Sequence, residues 1–98
     1  MAQFEVFAIE DGGLVLDCQA ASFADIATRI VVPLVPLGDA HKPEPRLNPI
    51  FDVDGERVVM LTQFVSALRK SELRRRVTSL ADERLTIVAA FDLLLAGV

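Results

Sequence analysis

Few side chains in this 98-residue chain could do chemistry, and none stands in a spacing that chemistry would need. Cys18 is the only cysteine and His41 the only histidine. A lone cysteine closes no internal disulfide, and without a Cys/His cluster there is no zinc-ligand set. Cys18 is expected as a small buried hydrophobe. His41 lies in a Pro/Gly-bearing loop, with no serine or cysteine that spacing makes its partner. Asp52, Asp54 and Glu56 bring carboxylates close together, but acid–base work needs positioned groups of tuned pKa. These three sit at the tip of an expected hairpin, where acidic residues serve the turn. Gly12-Gly13 reads as a hairpin turn, not a phosphate-cradling loop. Arg69, Lys70, Arg74, Arg75 and Arg76 could touch phosphates. They read more simply as a solvated segment that balances an acidic N-terminal half. The inventory points to no enzyme, no metal and no cofactor.

The elements that position these residues are mostly strands. Gln3–Ile9 alternates with period two except at Ala8, with Phe4 and Val6 on one face and Phe7 and Ile9 on the other. Glu10-Asp11-Gly12-Gly13 is a turn signal, and Leu14–Gln19 a second strand with Leu14, Leu16 and Cys18 inward. Residues 20–28 could be a short helix or an irregular loop. Arg29–Val35 reads as a strand buried on both faces, which Pro33 pushes toward a sheet edge or a bulge. Pro36–Pro49 must be a long surface connection. Asp54-Gly55 between the apolar runs Ile50–Val53 and Glu56–Thr62 specifies a type I′ hairpin. Ser71–Val77 is a short strand or a polar loop. A helix follows, with Ser79 and Asp82 spaced as a capping box and Gly97 as the stop.

Composition then asks where the apolar surface goes. Hydrophobic residues make up 52% of the chain and the mean hydropathy is +0.42, which excludes disorder. The longest apolar stretches, Ile30–Leu37 and Leu93–Val98, are far too short to span a bilayer. No signal peptide is expected at the N-terminus, so the default location is the cytoplasm. Residues 1–56 hold ten acidic and three basic residues, and residues 57–98 four and seven. A net charge of −4 makes a poor generic nucleic-acid binder. The length fits one domain over residues 1–98.

The helix answers part of the question. Leu85, Ile87, Val88, Phe91, Leu93, Leu94 and Leu95 surround it, with Asp92 its only charge beyond Arg84. In a chain this short one sheet covers one helix face, so the other needs a second chain. Asp92 is either solvent-facing or reserved for an arginine on a partner. The expected architecture is α+β but mainly β: an antiparallel, barrel-like sheet with one C-terminal helix, probed by a partner through that helix.

Taken in order, several segments carry a resemblance over essentially the whole chain. They are Met1–Phe7 (MAQFEVF), Arg29–Leu34 (RIVVPL), Leu47–Phe51 (LNPIF), Asp54–Thr62 (DGERVVMLT) and Val77–Val98, which ends in Gly97-Val98. In order, spacing and length the chain resembles the CcdB family, toxins of bacterial toxin–antitoxin pairs that act on DNA gyrase. The resemblance implies a small barrel of the CcdB/MazF-like kind, a homodimer, and a protein that is not an enzyme. It implies insertion of the dimer between the arms of the gyrase A subunit, trapping the cleaved-DNA complex. It also implies a cognate CcdA-like antitoxin, whose disordered segment wraps the toxin, with operator DNA bound only through that complex.

Carried over by position, the target contacts fall on Ser22, Phe23, Asp92, Leu95, Ala96, Gly97 and Val98. The dimer- or antitoxin-facing residues are expected at Phe4, Leu85, Val88, Phe91 and Asp92. The best-known toxin of the family has asparagine where this chain has Asp92, an aromatic residue at Leu95 and tryptophan at Ala96. Two alternatives follow: a gyrase-inactive homologue that keeps only antitoxin and operator-complex binding, and an RNA-cleaving toxin that uses Arg69–Arg76.

Overall fold

The computed structural model describes residues 1–98. Seven strands form one antiparallel sheet: β1 (Glu5–Ala8), β2 (Leu14–Asp17), β3 (Thr28–Pro36), β4 (Ile50–Val53), β5 (Glu56–Met60), β6 (Ser66–Arg69) and β7 (Arg75–Ser79). Their spatial order is β4-β5-β3-β2-β1-β7, and β6 joins at β3. The sheet curls into a half-barrel, and one helix, α1 (Arg84–Ala96), follows it. The sheet is buried from both sides. Phe4, Val6, Leu16, Val32, Leu34, Met60, Leu80, Ile87 and Ala90 belong to the larger core. Phe7, Val15, Val31 and Leu73 form a smaller one. Val6 thus faces one side, with Phe4 in the same core, and Phe7 the other, as the alternation in β1 requires of Val6 and Phe7.

β1 is shorter at its start than the alternation suggests, because Phe4 is not extended. Its φ is +69°, in the left-handed region that costs a bulky residue about 1–2 kcal/mol. Two backbone bonds hold it there: its N–H donates to Asp17 O and its carbonyl accepts from Leu80 N. Burial of the ring and stacking of Arg84 over it, 5.7 Å from the centroid, offset that cost.

Pro33 does not place β3 at an edge. β3 is flanked by β2 on one side and by β6 and then β5 on the other. β6 pairs with residues 28–31 and β5 with residues 34–36, so Pro33 sits where one partner gives way to the next. Its carbonyl accepts from Leu61 N at 3.0 Å, which shows that its backbone edge faces that changeover. The missing N–H therefore interrupts no ladder. Nor is β3 covered throughout, since Ile30 is exposed.

Of Ser71–Val77, left open between strand and loop, residues 71–72 lie in a 3-10 turn and residues 75–77 in β7, which pairs with β1 through a register shift between Val6 and Phe7. The helix starts later than the Ser79–Asp82 spacing suggests. Ser79 ends β7, its Oγ accepts from Ala81 N at 3.2 Å, and a 3-10 turn over Ala81–Glu83 precedes α1. Gly97 does stop the helix, at φ +76° with its N–H on Leu93 O. The connection before β4 is tied by buried Asn48, whose amide donates to Met60 O and Gln63 Oε1.

The Asp54-Gly55 hairpin forms as expected, with Val53 opposite Glu56 and φ of +52° and +84° at the two central residues. A Cβ on Gly55 would meet nothing within 4 Å, so Gly55→Ala tests backbone conformation alone. It should destabilise the protein by about 1–2 kcal/mol. The readout is a lower urea midpoint at unchanged m-value.

Candidate functional site

α1 buries Ile87 and Ala90 and half-buries Phe91 and Leu93. Its opposite face carries Leu85, Val88, Ala89, Asp92, Leu95 and Ala96, which recur at helical spacing along one stripe. Leu85 is 85% exposed, Leu95 80% and Val98 77%, which is far from the usual fate of large aliphatics at a helix face. Asp92 lies within this stripe and is exposed, with no arginine or lysine of its own chain paired to it. An open groove of about 570 Å³ runs beside the stripe, lined by Pro45, Arg46, Leu85, Thr86, Ala89 and Val98. Arg46 is its one charged side chain.

Of the residues expected to meet partners, Leu85, Val88, Asp92, Leu95 and Ala96 therefore share one surface, with Gly97 and Val98 at its end. Phe91 turns toward the core. Phe4 is 3% exposed and lies inside the larger core, so little of its ring is offered to another chain. Ser22 and Phe23 sit elsewhere in the chain, on a 3-10 turn over Ala21–Phe23 that links β2 to β3. Both are exposed, Phe23 by 57%. The hydrogen bonds of this loop run to Gln19 and Lys70, and none runs to α1.

Charge chemistry is arranged structurally. The Arg74 guanidinium lies 3.8 Å from Glu10, and Arg76 is bonded to Glu5. Burial pushes the Glu5 carboxyl up. The Ala2 N–H, the Arg76 guanidinium and the N-terminal ammonium outweigh it and hold the group below its ordinary value. Arg69 N donates to Glu72. Of the basic cluster, Arg74 and Arg76 thus face carboxylates and the Lys70 ammonium a backbone carbonyl, which weakens the case for a phosphate-gripping site. Burial, then the charge of Asp17, pushes the Cys18 thiol well above its ordinary value, so it is a poor nucleophile. Asp52 faces Arg57 across the β4–β5 hairpin, 3.9 Å away.

One pair escaped the sequence reading. Asp17 and Arg29 are both fully buried and ion-paired, with Nε donating to Asp17 Oδ2 at 2.9 Å. Nη2 lies 2.8 Å from the same oxygen without a hydrogen-bond alignment, and Nη1 has no acceptor. The signal available in sequence was one charge at the end of each of two apolar strands, LVLD and RIVVPL.

No helix is long and apolar enough to cross a membrane. A family model described as CcdB protein matches residues 3–97. None of the curated proteins matches the chain.

Proposed function

The chain belongs to the CcdB family, a family of toxins of toxin–antitoxin systems, and we propose that it acts by binding the gyrase A subunit and inhibiting DNA gyrase. The observation that carries this reading is the unpartnered stripe of α1: Leu85, Val88, Leu95 and Val98 exposed around one free carboxylate, Asp92. Apolar surface of this kind on a small chain marks a protein-binding face. In the proposed complex Leu95 and Val98 fill apolar pockets, Asp92 pairs with an arginine of the target, and Ser22 and Phe23 add a second contact. The chain works as a cytoplasmic homodimer, with part of the stripe covered by the second copy. It performs no catalysis itself and needs no cofactor.

The antitoxin fits the same region. A disordered acidic segment would find a groove of mainly apolar lining rimmed by the Arg46 guanidinium, and such segments fold onto large surfaces when they bind. The toxin–antitoxin pair then represses its own operon, with the antitoxin supplying the contacts to DNA.

Supercoiling by gyrase with the purified protein is the deciding assay. Inhibition with accumulation of cleaved DNA supports the reading. No inhibition and no trapped cleavage complex at high excess over gyrase overturns it.

One observation favours a second reading. Ala96, the last residue of α1, offers only a methyl group where the family's best-known toxin offers tryptophan. A homologue that keeps antitoxin and operator-complex binding without poisoning gyrase would look like this. Harmless expression in a heterologous host, with tight antitoxin binding, would select that reading.

A further inference from the structure

We infer that Gln19 is a positioning residue for the target-binding loop: its side-chain amide ties the turn that presents Ser22 and Phe23 to the central strand β3. The inference deepens the gyrase-binding reading and rests on it for its consequence, while the anchor itself can be read without any target.

The loop has little to hold it from within. Its own bonds are local: Phe23 N to Ala20 O, Ala24 N to Ala21 O and Ile26 N to Phe23 O. Bonds of this reach keep a turn folded but do not fix its direction relative to the sheet. Residues Ala21–Phe23 are exposed, and Phe23 and Ile26 show 57% and 50% of their surface. An aromatic side chain on a mobile loop must be ordered on binding, at a cost in affinity that pre-organisation removes.

Gln19 supplies the long-range tie. Its Oε1 accepts from Ile30 N at 3.0 Å and its Nε2 donates to Phe23 O at 2.7 Å. The orientation of the amide is dictated by these partners: an N–H and a carbonyl flank it, and only one orientation satisfies both. Its backbone N–H donates to Asp17 Oδ1 at 3.1 Å, and Asp17 Oδ2 is held by Arg29. A chain of bonds therefore runs from the buried ion pair through Gln19 to the Phe23 carbonyl. On the far side of the loop Lys70 adds a second clamp, with Nζ donating to Ala24 O and its backbone N–H to Ala27 O.

Gln19→Glu changes the donor and little else. The carboxylate can still accept from Ile30 N, but it cannot donate to Phe23 O and instead sets a charge against that carbonyl. Three measurements on the full-length protein follow. Amide hydrogen exchange at Ala24 and Ile26 should quicken in the variant, while the β2 and β3 amides stay protected. Affinity for the gyrase A subunit should fall about tenfold, in line with loss of one bond to a carbonyl plus repulsion. In a Phe23→Ala background, Gln19→Glu should cost little further affinity, because residues that act through one another are not additive.

Unchanged exchange in the loop of a folded Gln19→Glu protein overturns the anchor. Equal losses of affinity with and without Phe23 also overturn it, since they indicate a merely structural role. If the variant does not fold, Gln19→Met removes both side-chain bonds without adding a charge, and unchanged loop exchange there overturns the inference as well. A wild-type protein that binds no gyrase overturns the functional reading alone, and the exchange data still decide the anchor.

Discussion

Replacing Arg29 by methionine is expected to lower the unfolding free energy by about 3–5 kcal/mol. Both members of the Asp17–Arg29 pair are fully buried, so the substitution strands a carboxylate in a low-dielectric interior. In a chain of this size that loss moves the thermal midpoint by roughly 12 °C or more. Asp17→Leu together with Arg29→Met should recover most of it. The native pair is imperfectly satisfied, with Nη1 lacking an acceptor, and pairs of that kind gain little over well-packed apolar side chains. Recovery should stop short of wild type, because Asp17 Oδ1 also accepts from Gln19 N, a bond of about 1 kcal/mol. Thermal and urea unfolding of the two single variants and the double variant complete the cycle. A double variant as unstable as Arg29→Met alone would show that the pair is needed for more than charge balance. Stability and binding should also separate here. The double variant folds yet has lost the support beneath Gln19, so it should bind its target less well than its stability suggests.

That pair marks the limit of what the sequence discloses. Asp17 and Arg29 are brought together by the β2–β3 register, in which Asp17 stands opposite Val31. Nothing local to either residue encodes that register. The same holds for Pro33: proline chemistry says which backbone group is missing, but only the β6-to-β5 changeover shows that nothing required it. Phe4 is a third case. Its left-handed backbone is stabilised by Asp17 and Leu80, both distant in sequence, so alternation alone carried the first strand too far back. Local chemistry was legible wherever the determinant was local. Asp54-Gly55 set its own hairpin, and Gly97 ended its own helix. The family match over residues 3–97 agrees with a resemblance carried by five separated segments.

The candidate site was legible to a different degree in its two parts. The helix stripe followed from composition, because one sheet cannot cover an apolar helix on all sides, and Leu85 and Leu95 are indeed left exposed. Its limits did not follow. Ser79 looked like a helix cap and instead closes a strand, since its hydroxyl serves a 3-10 turn first. The loop of Ser22 and Phe23 reads in sequence as either a short helix or an irregular loop, and the residues that hold it, Gln19 and Lys70, carry no motif. Such support is invisible until a fold brings a carbonyl within reach.

Ala96→Trp should tighten binding to the gyrase A subunit by about 2–4 kcal/mol, or roughly thirty- to a thousandfold. Ala96 ends α1 on the exposed side, next to Leu95 and before the left-handed Gly97. A tryptophan there meets solvent in the free protein, so stability should change by no more than about 0.5 kcal/mol. Any gain in inhibition is then a gain at the interface. Buried aromatic anchors supply a large share of interface energy because they bury much area at low entropic cost. Inhibition of supercoiling, titrated with wild type and Ala96→Trp side by side, reads the difference. A folded variant with unchanged potency would place the target contact away from the end of α1. Antitoxin affinity measured on the same pair separates the two partners. A tryptophan that strengthens gyrase binding and leaves the antitoxin unaffected shifts their competition toward the toxin, because only the difference between the two affinities decides which complex forms.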